Sequence, residues 1–288
     1  MNFNSSSFSS SSSKIKISSR RGTRTRRITN RLAWVLIGFS IFRFSLGATA
    51  QTTNALSDAE IQGRALALKI MQQRPTENYT NFGVFQIHDA KDKRTEVPVA
   101  CKVMVTSAAW MTIYQANWTN RVATFLFVRG TGQPDEYFYS TNSVIAVPLL
   151  GDIPWLGHLF RDHKISGAEL MSPFANSDFW LCDLGLEFFH WPQQKVLKKE
   201  FHRQCPCAVL ESTNPNPATN GYSRVVSWID EESLGIVEAC AYDANSKKLK
   251  NFYPKDLQKV DGQYQVQTLV MENMQTGSRS RLEFDLKK

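Results

Sequence analysis

The last quarter of the chain most constrains the fold, because it is a succession of short β-type segments. Runs of β-branched and aromatic residues alternate with polar corners, among them Asp261-Gly262 and Thr276-Gly277. The segments cover residues 222–230, 236–242, 247–252, 264–274 and 279–286. Short runs of this kind, about 8–12 residues apart and joined by Gly, Asn and Asp, are typical of an antiparallel meander. The sequence therefore predicts a mainly β fold, with one sheet face turned towards a core or a cavity.

Several motifs lie in a characteristic order within these segments. They are Trp228-Ile-Asp230, Tyr242-Asp243, Lys250-Asn-Phe252 and Met271-Glu-Asn-Met-Gln-Thr-Gly277 with Arg279 and Arg281, preceded by Asp178-Phe179 and Asp183-Leu184. Together they resemble the LolA-like outer-membrane lipoprotein-sorting family from about Ser166 onwards. The resemblance implies an α+β protein of the LolA/LolB-like type: an unclosed antiparallel β-barrel, or half-pipe, with covering helices. It also implies a hydrophobic trough that binds lipid or an acylated peptide.

The first 50 residues have the composition of a secretory signal. A Ser-rich leader at 5–13 and a basic run at 14–31 precede an apolar segment at 32–46 and the small-residue site Ala48-Thr-Ala50. This order is that of a signal peptide with its cleavage site. An apolar segment of about 15 residues is too short for the roughly 20 that span a bilayer. We therefore expect export, cleavage after Ala50 and a single domain over residues 51–288; the resemblance implies the periplasm of a diderm bacterium.

The formal net charge of +8 belongs to this leader. Nine of the 34 lysines and arginines lie in residues 1–50, which contain no acidic residue, so 25 basic residues face 26 acidic ones beyond Ala50. A nucleic-acid-binding surface needs clustered basic residues. The only such cluster beyond Ala50, at 195–203, alternates with apolar residues and fits the solvent face of a strand or helix, so we expect no nucleic-acid partner.

The first half of the exported chain contains one helix and several strands. Ser57-Asp-Ala-Glu60 is a capping box that begins a helix, which Arg74-Pro75 ends. Strands are expected at 79–88, 96–105, 110–118, 122–128 and 136–139. Within 96–105, alternate residues from Val97 to Val105 share one face. The aromatic residues of the later strands fit either a core or a cavity wall, and core packing is the commoner role.

Two further segments precede the meander. Residues 178–189, with Ser177 as cap, predict a short helix, which the resemblance makes the second covering helix. Residues 195–201 and 207–211 predict a hairpin around the corner Cys205-Pro-Cys207.

The apolar stretch from Val147 to Phe160 resembles a motif near the membrane end of secretin channels. The repeat domains and long barrel strands of a secretin are missing from the sequence, so the match is local. Two interpretations stay open: a loop packed on the barrel, or a flap over the mouth of the cavity.

No pattern in the sequence supports catalysis, a metal site or a cofactor. The five histidines form no H-E-x-x-H motif, no serine lies in G-x-S-x-G, and no phosphate-binding glycine loop is present. His202 with Cys205 and Cys207 does not have zinc-ligand spacing. Five cysteines leave at least one thiol unpaired within the chain. A bridge from Cys182 to Cys205 or Cys207 would tie the second covering helix to the sheet, and we expect Cys182–Cys205.

These observations predict a non-enzymatic, exported carrier or chaperone for lipid or acylated lipoprotein, with a delivery partner at the inner or outer membrane. The residues expected to line its trough and mouth are Trp110, Tyr114, Trp155, Leu156, Trp180, Leu184 and Phe188. A docking module of an envelope or secretion assembly is the alternative, supported by the secretin-like stretch. A hydrolase on the same concave sheet is a third possibility, for which no residue constellation is found.

Overall fold

A computed structural model describes residues 55–118, 121–130, 134–141, 163–260 and 263–286, all within one compact unit, Thr53–Lys288. The proposed signal peptide, its cleavage site and the secretin-like stretch at 147–160 lie outside the described residues. None of the helices in the described ranges is long and apolar enough to cross a membrane.

A single antiparallel sheet accounts for most of the described chain. Its thirteen strands are β1 Tyr79–His88, β2 Arg94–Val105, β3 Ala109–Trp118, β4 Arg121–Gly130, β5 Glu136–Ser140, β6 Lys164–Ile165, β7 Gln193–His202, β8 Cys205–Thr213, β9 Arg224–Asp230, β10 Ile236–Tyr242, β11 Lys248–Val260, β12 Gln263–Asn273 and β13 Arg279–Asp285.

The strand order explains why the sheet does not close. It runs β6-β5-β4-β3-β2-β1-β13-β12-β11-β10-β9-β8-β7, so every pair of neighbouring strands in the sheet is also consecutive in the chain except β1 and β13. That pairing joins the N-terminal and C-terminal halves and places Phe85 opposite Leu282 in the buried layer. The edge strands β6 and β7 are not paired with each other. The predicted unclosed antiparallel β-fold with few helices is confirmed.

The strand patterns agree closely with the sequence. In β2 the side chains of Val97, Val99, Cys101 and Val103 are all buried, as the alternation predicts. The β7–β8 hairpin turns two residues earlier than expected, because Arg203 and Gln204 take positive φ angles of 46° and 69°. The Cys205-Pro-Cys207 corner is therefore wrong, and those residues begin β8.

The segment that links the two edge strands fills the centre of the concave face. It contains a 3₁₀ turn at Gly167–Met171, the short helix α2 at Leu181–Gly185 and a second 3₁₀ turn at Glu187–His190 (the numbering α1 and α2 follows chain order, with α1 at Asp58–Met71). The ring of Phe174 lies 5.9 Å from that of Phe85 and 6.4 Å from that of Tyr114, and Phe179 lies 6.2 Å from Phe252. The centre of the expected trough is thus occupied by the chain's own aromatic side chains.

This linking segment is helical over a shorter range than the sequence predicts. Helix α2 begins after Trp180, whose backbone N–H donates to the Asp183 carboxylate at 2.8 Å. It ends at Leu186, which has a φ of 52° in the left-handed region. Ser177 is not its cap, because its hydroxyl donates to the Phe174 carbonyl. A single helix over 178–189 with Ser177 as cap is therefore wrong.

Helix α1 packs across one end of the sheet, against β7. The Ser57–Glu60 capping box is present as predicted. Gly63 touches the strand so closely that a β-carbon added there would lie 2.5 Å from the Gln194 carbonyl carbon. The missing side chain therefore sets how near α1 approaches β7.

Candidate functional site

A cleft of about 720 Å³ opens between α1, the adjoining ends of β3 and β4, and the turn at 189–192. Its volume lies within the range of about 300–1,000 Å³ that is typical of small-molecule sites. Its apolar wall comprises Ala67, Leu68, Met71, Trp110, Phe189, Trp191 and Pro192. Its polar wall comprises Arg64, Gln72, Arg74, Arg129, Asp135, His190 and Gln194. The cleft therefore has an apolar wall and a charged wall, and the exposed Arg74 lies at its rim.

Two regular elements position the opposing walls. Arg64, Ala67, Leu68 and Met71 recur at helical spacing along α1, so they share the face that looks into the cleft. On the other side, strands β3 and β4 pair so that Trp110 lies directly opposite Arg129 on one sheet face. An aromatic ring and a guanidinium group are thus presented side by side.

The third wall is fixed by the amide of Gln194, which is almost completely buried. Its Nε2 donates to the carbonyl oxygens of Phe188 and Trp191, each at 2.9 Å. Its Oε1 accepts a hydrogen bond of 2.7 Å from the Ser212 hydroxyl on β8. These bonds tie the 188–192 turn to the sheet, so the aromatic residues of the turn are held in place.

Arg129, Asp135 and His190 form the polar corner of the cleft. The Arg129 Nε donates to Asp135 Oδ2 at 2.6 Å, and its Nη2 donates to the Gly185 carbonyl at 2.5 Å. His190 Nε2 lies 2.9 Å from the same Asp135 oxygen. Burial opposes ionisation of Asp135, but the hydrogen bond from His190 and the charge of Arg129 outweigh it and hold the pKa of this carboxyl below its usual value. Asp135 is therefore a carboxylate shared between two partners.

A separate buried ionic cluster fastens the linking segment to β11. Lys250 is only 3% exposed, and its Nζ donates to the Asp178 carbonyl at 2.5 Å and lies 3.6 Å from Asp183 Oδ2. The same ammonium lies 3.7 Å from the centre of the Trp180 ring. Tyr222 donates to Asp183 at 3.0 Å and stacks on Trp180. Burial raises the pKa of Asp183 and lowers that of Lys250, while the opposite charges partly offset both shifts.

A second set of hydrogen bonds fastens the same segment to β13. The Asp178 carboxylate accepts from the hydroxyls of Ser278 and Ser280 at 2.6 and 2.7 Å, and Ser280 accepts from the Asp178 N–H. The space beside Lys250 measures only about 10 Å³, room for about one water molecule. This cluster therefore stabilises the filled centre and leaves no volume there for an organic ligand.

Comparison with known proteins identifies the fold. A family model described as "Uncharacterized protein" matches residues 155–287. A DUF1329 family protein from Desulfovibrio piger superposes with a TM-score of 0.60 at 18% identity, covering 80% of this chain and 92% of the other. A putative outer membrane lipoprotein-sorting protein domain from Vibrio parahaemolyticus gives 0.59 at 17% identity, covering 79% and 92%. A LolA superfamily protein from Nitrosomonas europaea gives 0.52 at 13% identity, covering 78% and 91%.

This chain has the LolA-like fold. The resemblance noted in the sequence is confirmed at that level. No protein with a curated description matches the chain.

Within this LolA-like fold the predicted lining residues fall in different places. Trp110 lines the cleft. Tyr114, Trp180, Leu184 and Phe188 instead pack in or against the filled centre. Trp155 and Leu156 lie outside the described residues.

Sequence reasoning missed most of the cleft wall. Leu68, Met71, Phe189 and Trp191 all contribute to it. Leu68 could have been predicted in part, because it is a large aliphatic residue of the amphipathic helix α1. The structure shows that it stays exposed on folding. The turn residues could not be predicted, because the bonds of Gln194 that hold them are tertiary.

The predicted Cys182–Cys205 disulfide is not formed in this LolA-like fold, since all five cysteines are free thiols. Cys182 lies beside Asp183, which bonds Tyr222 close to the Thr213 end of β8. Cys205 begins β8 at the other end of the strand, and the strand is roughly 26 Å long at 3.3 Å per residue. A disulfide needs α-carbons within about 7 Å. Among the described residues no cluster of histidine, cysteine and carboxylate groups could hold a metal ion.

Proposed function

We propose that this protein is a non-enzymatic, exported carrier that shelters an acyl chain in the cleft between α1 and β3–β4. The observation that supports the proposal is the cleft itself: about 720 Å³, with an apolar wall that includes three aromatic side chains. The LolA-like fold agrees with it, since one protein of this fold is described as a lipoprotein-sorting domain. The ligand is a lipid or the acyl chains of a lipoprotein.

The energetics of acyl chains explain why such a carrier is needed. Each methylene removed from water contributes about 0.8 kcal/mol, so a sixteen-carbon chain is stabilised by roughly 12 kcal/mol in an apolar site. A chain of that kind does not cross an aqueous gap unaided. We propose that the N-terminal 50 residues direct export to the periplasm and are cleaved after Ala50, and that a membrane-bound partner receives the cargo.

The cleft is a better ligand site than the other cavity beside α1. That cavity measures about 280 Å³, and the part of its wall in the described ranges contains no aromatic residue. Lys69, Lys199 and Glu231 add charge to that wall. An acyl chain would therefore bury more apolar surface in the larger cleft.

The test compares two exposed aliphatic residues of α1. Leu68 and Ile61 are similarly exposed, at 56% and 53%, but only Leu68 lines the cleft. We expect Leu68→Glu to weaken binding of an uncharged pyrene-labelled hexadecanoyl glycerol at least tenfold. The reason is that burying a leucine contributes about 1.5–3 kcal/mol and each 1.4 kcal/mol is tenfold in affinity. The measurement is a fluorescence titration below the concentration at which the probe forms micelles.

Ile61→Glu is the matched control and should change the affinity less than twofold. Both variants should keep the melting temperature of the parent protein, because both side chains face solvent. Equal losses in the two variants, or no binding by the parent protein, would show that the cleft is not an acyl site.

A further inference from the structure

We infer that the acyl ligand carries an anionic headgroup, which binds at the rim of the cleft where Arg74 and Arg129 flank Trp110. This inference rests on the proposed function and adds the chemical class of the ligand. The headgroup is a planar carboxylate or a tetrahedral phosphate, and both present oxygen atoms that accept hydrogen bonds.

Arg74 and Arg129 both line the cleft beside Trp110. Arg74 lies over Trp110, with its Cζ 5.9 Å from the ring centre, and donates to the Ser107 carbonyl at 3.3 Å. Arg129 is the direct cross-strand partner of Trp110, so the two α-carbons are about 4.5–5.5 Å apart. Trp110 therefore has one arginine over its ring, from the segment that follows α1, and another beside it on the neighbouring strand.

The carboxylates nearby do not balance these charges. Asp135 is the one acidic residue among the described residues of the cleft wall, and it is already shared by Arg129 and His190. Within the described ranges no carboxylate forms an ion pair with Arg74. Arg64 adds a third positive charge at the far end of the α1 face, where Glu60, one helical turn away, interacts with it. The described residues of the cleft wall thus carry two more positive than negative charges before His190 is counted.

The donors left over match an anionic headgroup. A guanidinium has five N–H donors in a planar fork, and in the described part of the chain a single bond, to Ser107, is formed by Arg74. Carboxylate and phosphate oxygens accept from such a fork in pairs, and the charge makes these hydrogen bonds about twice as strong as neutral ones. An anion at the rim would also relieve the repulsion between the two arginines. A cationic headgroup would add to that repulsion.

The experiment varies the headgroup on a constant chain. Each ligand competes with the uncharged pyrene-labelled glycerol ester for the exported protein, residues 51–288. The ligands are hexadecanoate, hexadecyl phosphate and hexadecyltrimethylammonium. We expect the two anions to bind at least tenfold more tightly than unlabelled hexadecanoyl glycerol, and the ammonium to bind more weakly. Inorganic phosphate alone should displace nothing, since the rim binds a headgroup only together with its chain.

The residue assignment is tested with Arg74→Gln and Arg74→Lys, with Arg121→Gln on an exposed part of β4 as control. We expect Arg74→Gln to reduce the preference for anions, taken within the variant as the ratio of anion affinity to neutral-ester affinity, to less than threefold. Arg74→Lys should retain part of it, because it keeps the charge but not the fork.

Each contrary outcome has its own meaning. Equal affinity for anionic and neutral ligands, or loss of the preference in Arg64→Gln in place of Arg74→Gln, would overturn this inference and leave the acyl site standing. Displacement by inorganic phosphate alone would show a free-anion site. Failure of every ligand to bind would remove the proposed function as well.

Discussion

Lys250 is a charged side chain held in the interior by partners from the linking segment. It contacts the carbonyl of Asp178, the carboxylate of Asp183 and the ring of Trp180. Taking an ammonium group out of water is costly, and the ion pair with its hydrogen bonds offsets that cost only while all partners are present. The cluster is therefore a sensitive reporter of whether the linking segment is seated.

Replacing Lys250 should destabilise the protein strongly. We expect Lys250→Met to lower the free energy of unfolding by about 3–5 kcal/mol, because it leaves the Asp183 carboxylate buried without its cation. Urea denaturation followed by tryptophan fluorescence measures the change. Lys255→Met on the exposed part of β11 is the matched control, with an expected change within about 0.5 kcal/mol. Similar losses in both variants would contradict the role given to the cluster.

The sequence predicts side-chain roles well where they depend on near neighbours. The Ser57–Glu60 capping box involves residues three apart, and the buried face of β2 follows from simple alternation. The contacts of Lys250 could not be predicted, because the Asp178 carbonyl to which it donates is 72 residues away. Lys250 belongs to the motif Lys250-Asn-Phe252 that carries the family resemblance, but no neighbouring residue in the sequence indicates that its ammonium group is buried.

Helix α1 is a structural wall of the cleft, and its position depends on Gly63. The close approach of α1 to the backbone of Gln194 and Lys195 leaves no room for a β-carbon. Because β7 also presents Gln194, which fixes the 188–192 turn, a shift of α1 would disturb two walls of the cleft together. The helix, the edge strand and the turn thus behave as one unit.

Gly63→Ala tests this contact through the sign of its effect. In an exposed helix interior the change stabilises by about 1 kcal/mol. Here we expect destabilisation by about 1–3 kcal/mol, because the added methyl group overpacks the contact. Urea denaturation measures it, and binding of the uncharged pyrene probe should weaken in parallel. Gln62→Ala, at the neighbouring exposed position, is the control. Stabilisation by Gly63→Ala would show that α1 is free to move away from β7.

Most strands could be predicted from the sequence, but the point at which the helix after Trp180 ends could not. Periodicity gives β1 and β10 with the observed ends. Residues 178–189 were expected to form one helix, yet the helix ends at Leu186, which has a left-handed backbone angle that a leucine does not suggest. This irregular segment places the rings of Phe174 and Phe179 on the concave face, where both contact Phe85 of the sheet. The filling of the trough therefore depends on tertiary contacts.

The family resemblance implies one hydrophobic trough, but the molecule has two distinct regions on this side of the sheet: a filled centre and an open cleft. The centre of the unclosed sheet is packed with aromatic side chains and sealed by buried ionic bonds. The open cleft lies to one side, under α1. The central claim is that an acyl chain binds in this cleft while the centre stays filled.

Paramagnetic broadening of tryptophan signals tests that claim directly. A hexadecanoate with a nitroxide group near the middle of its chain is added to the ¹⁵N-labelled protein, with the reduced, diamagnetic label as control. Indole N–H signals are assigned by single Trp→Phe variants. We expect the strongest broadening at Trp110 and Trp191, which line the cleft, and little at Trp180, which stacks on Tyr222 in the centre. Strongest broadening at Trp180 would show that the chain enters the centre and would contradict the account.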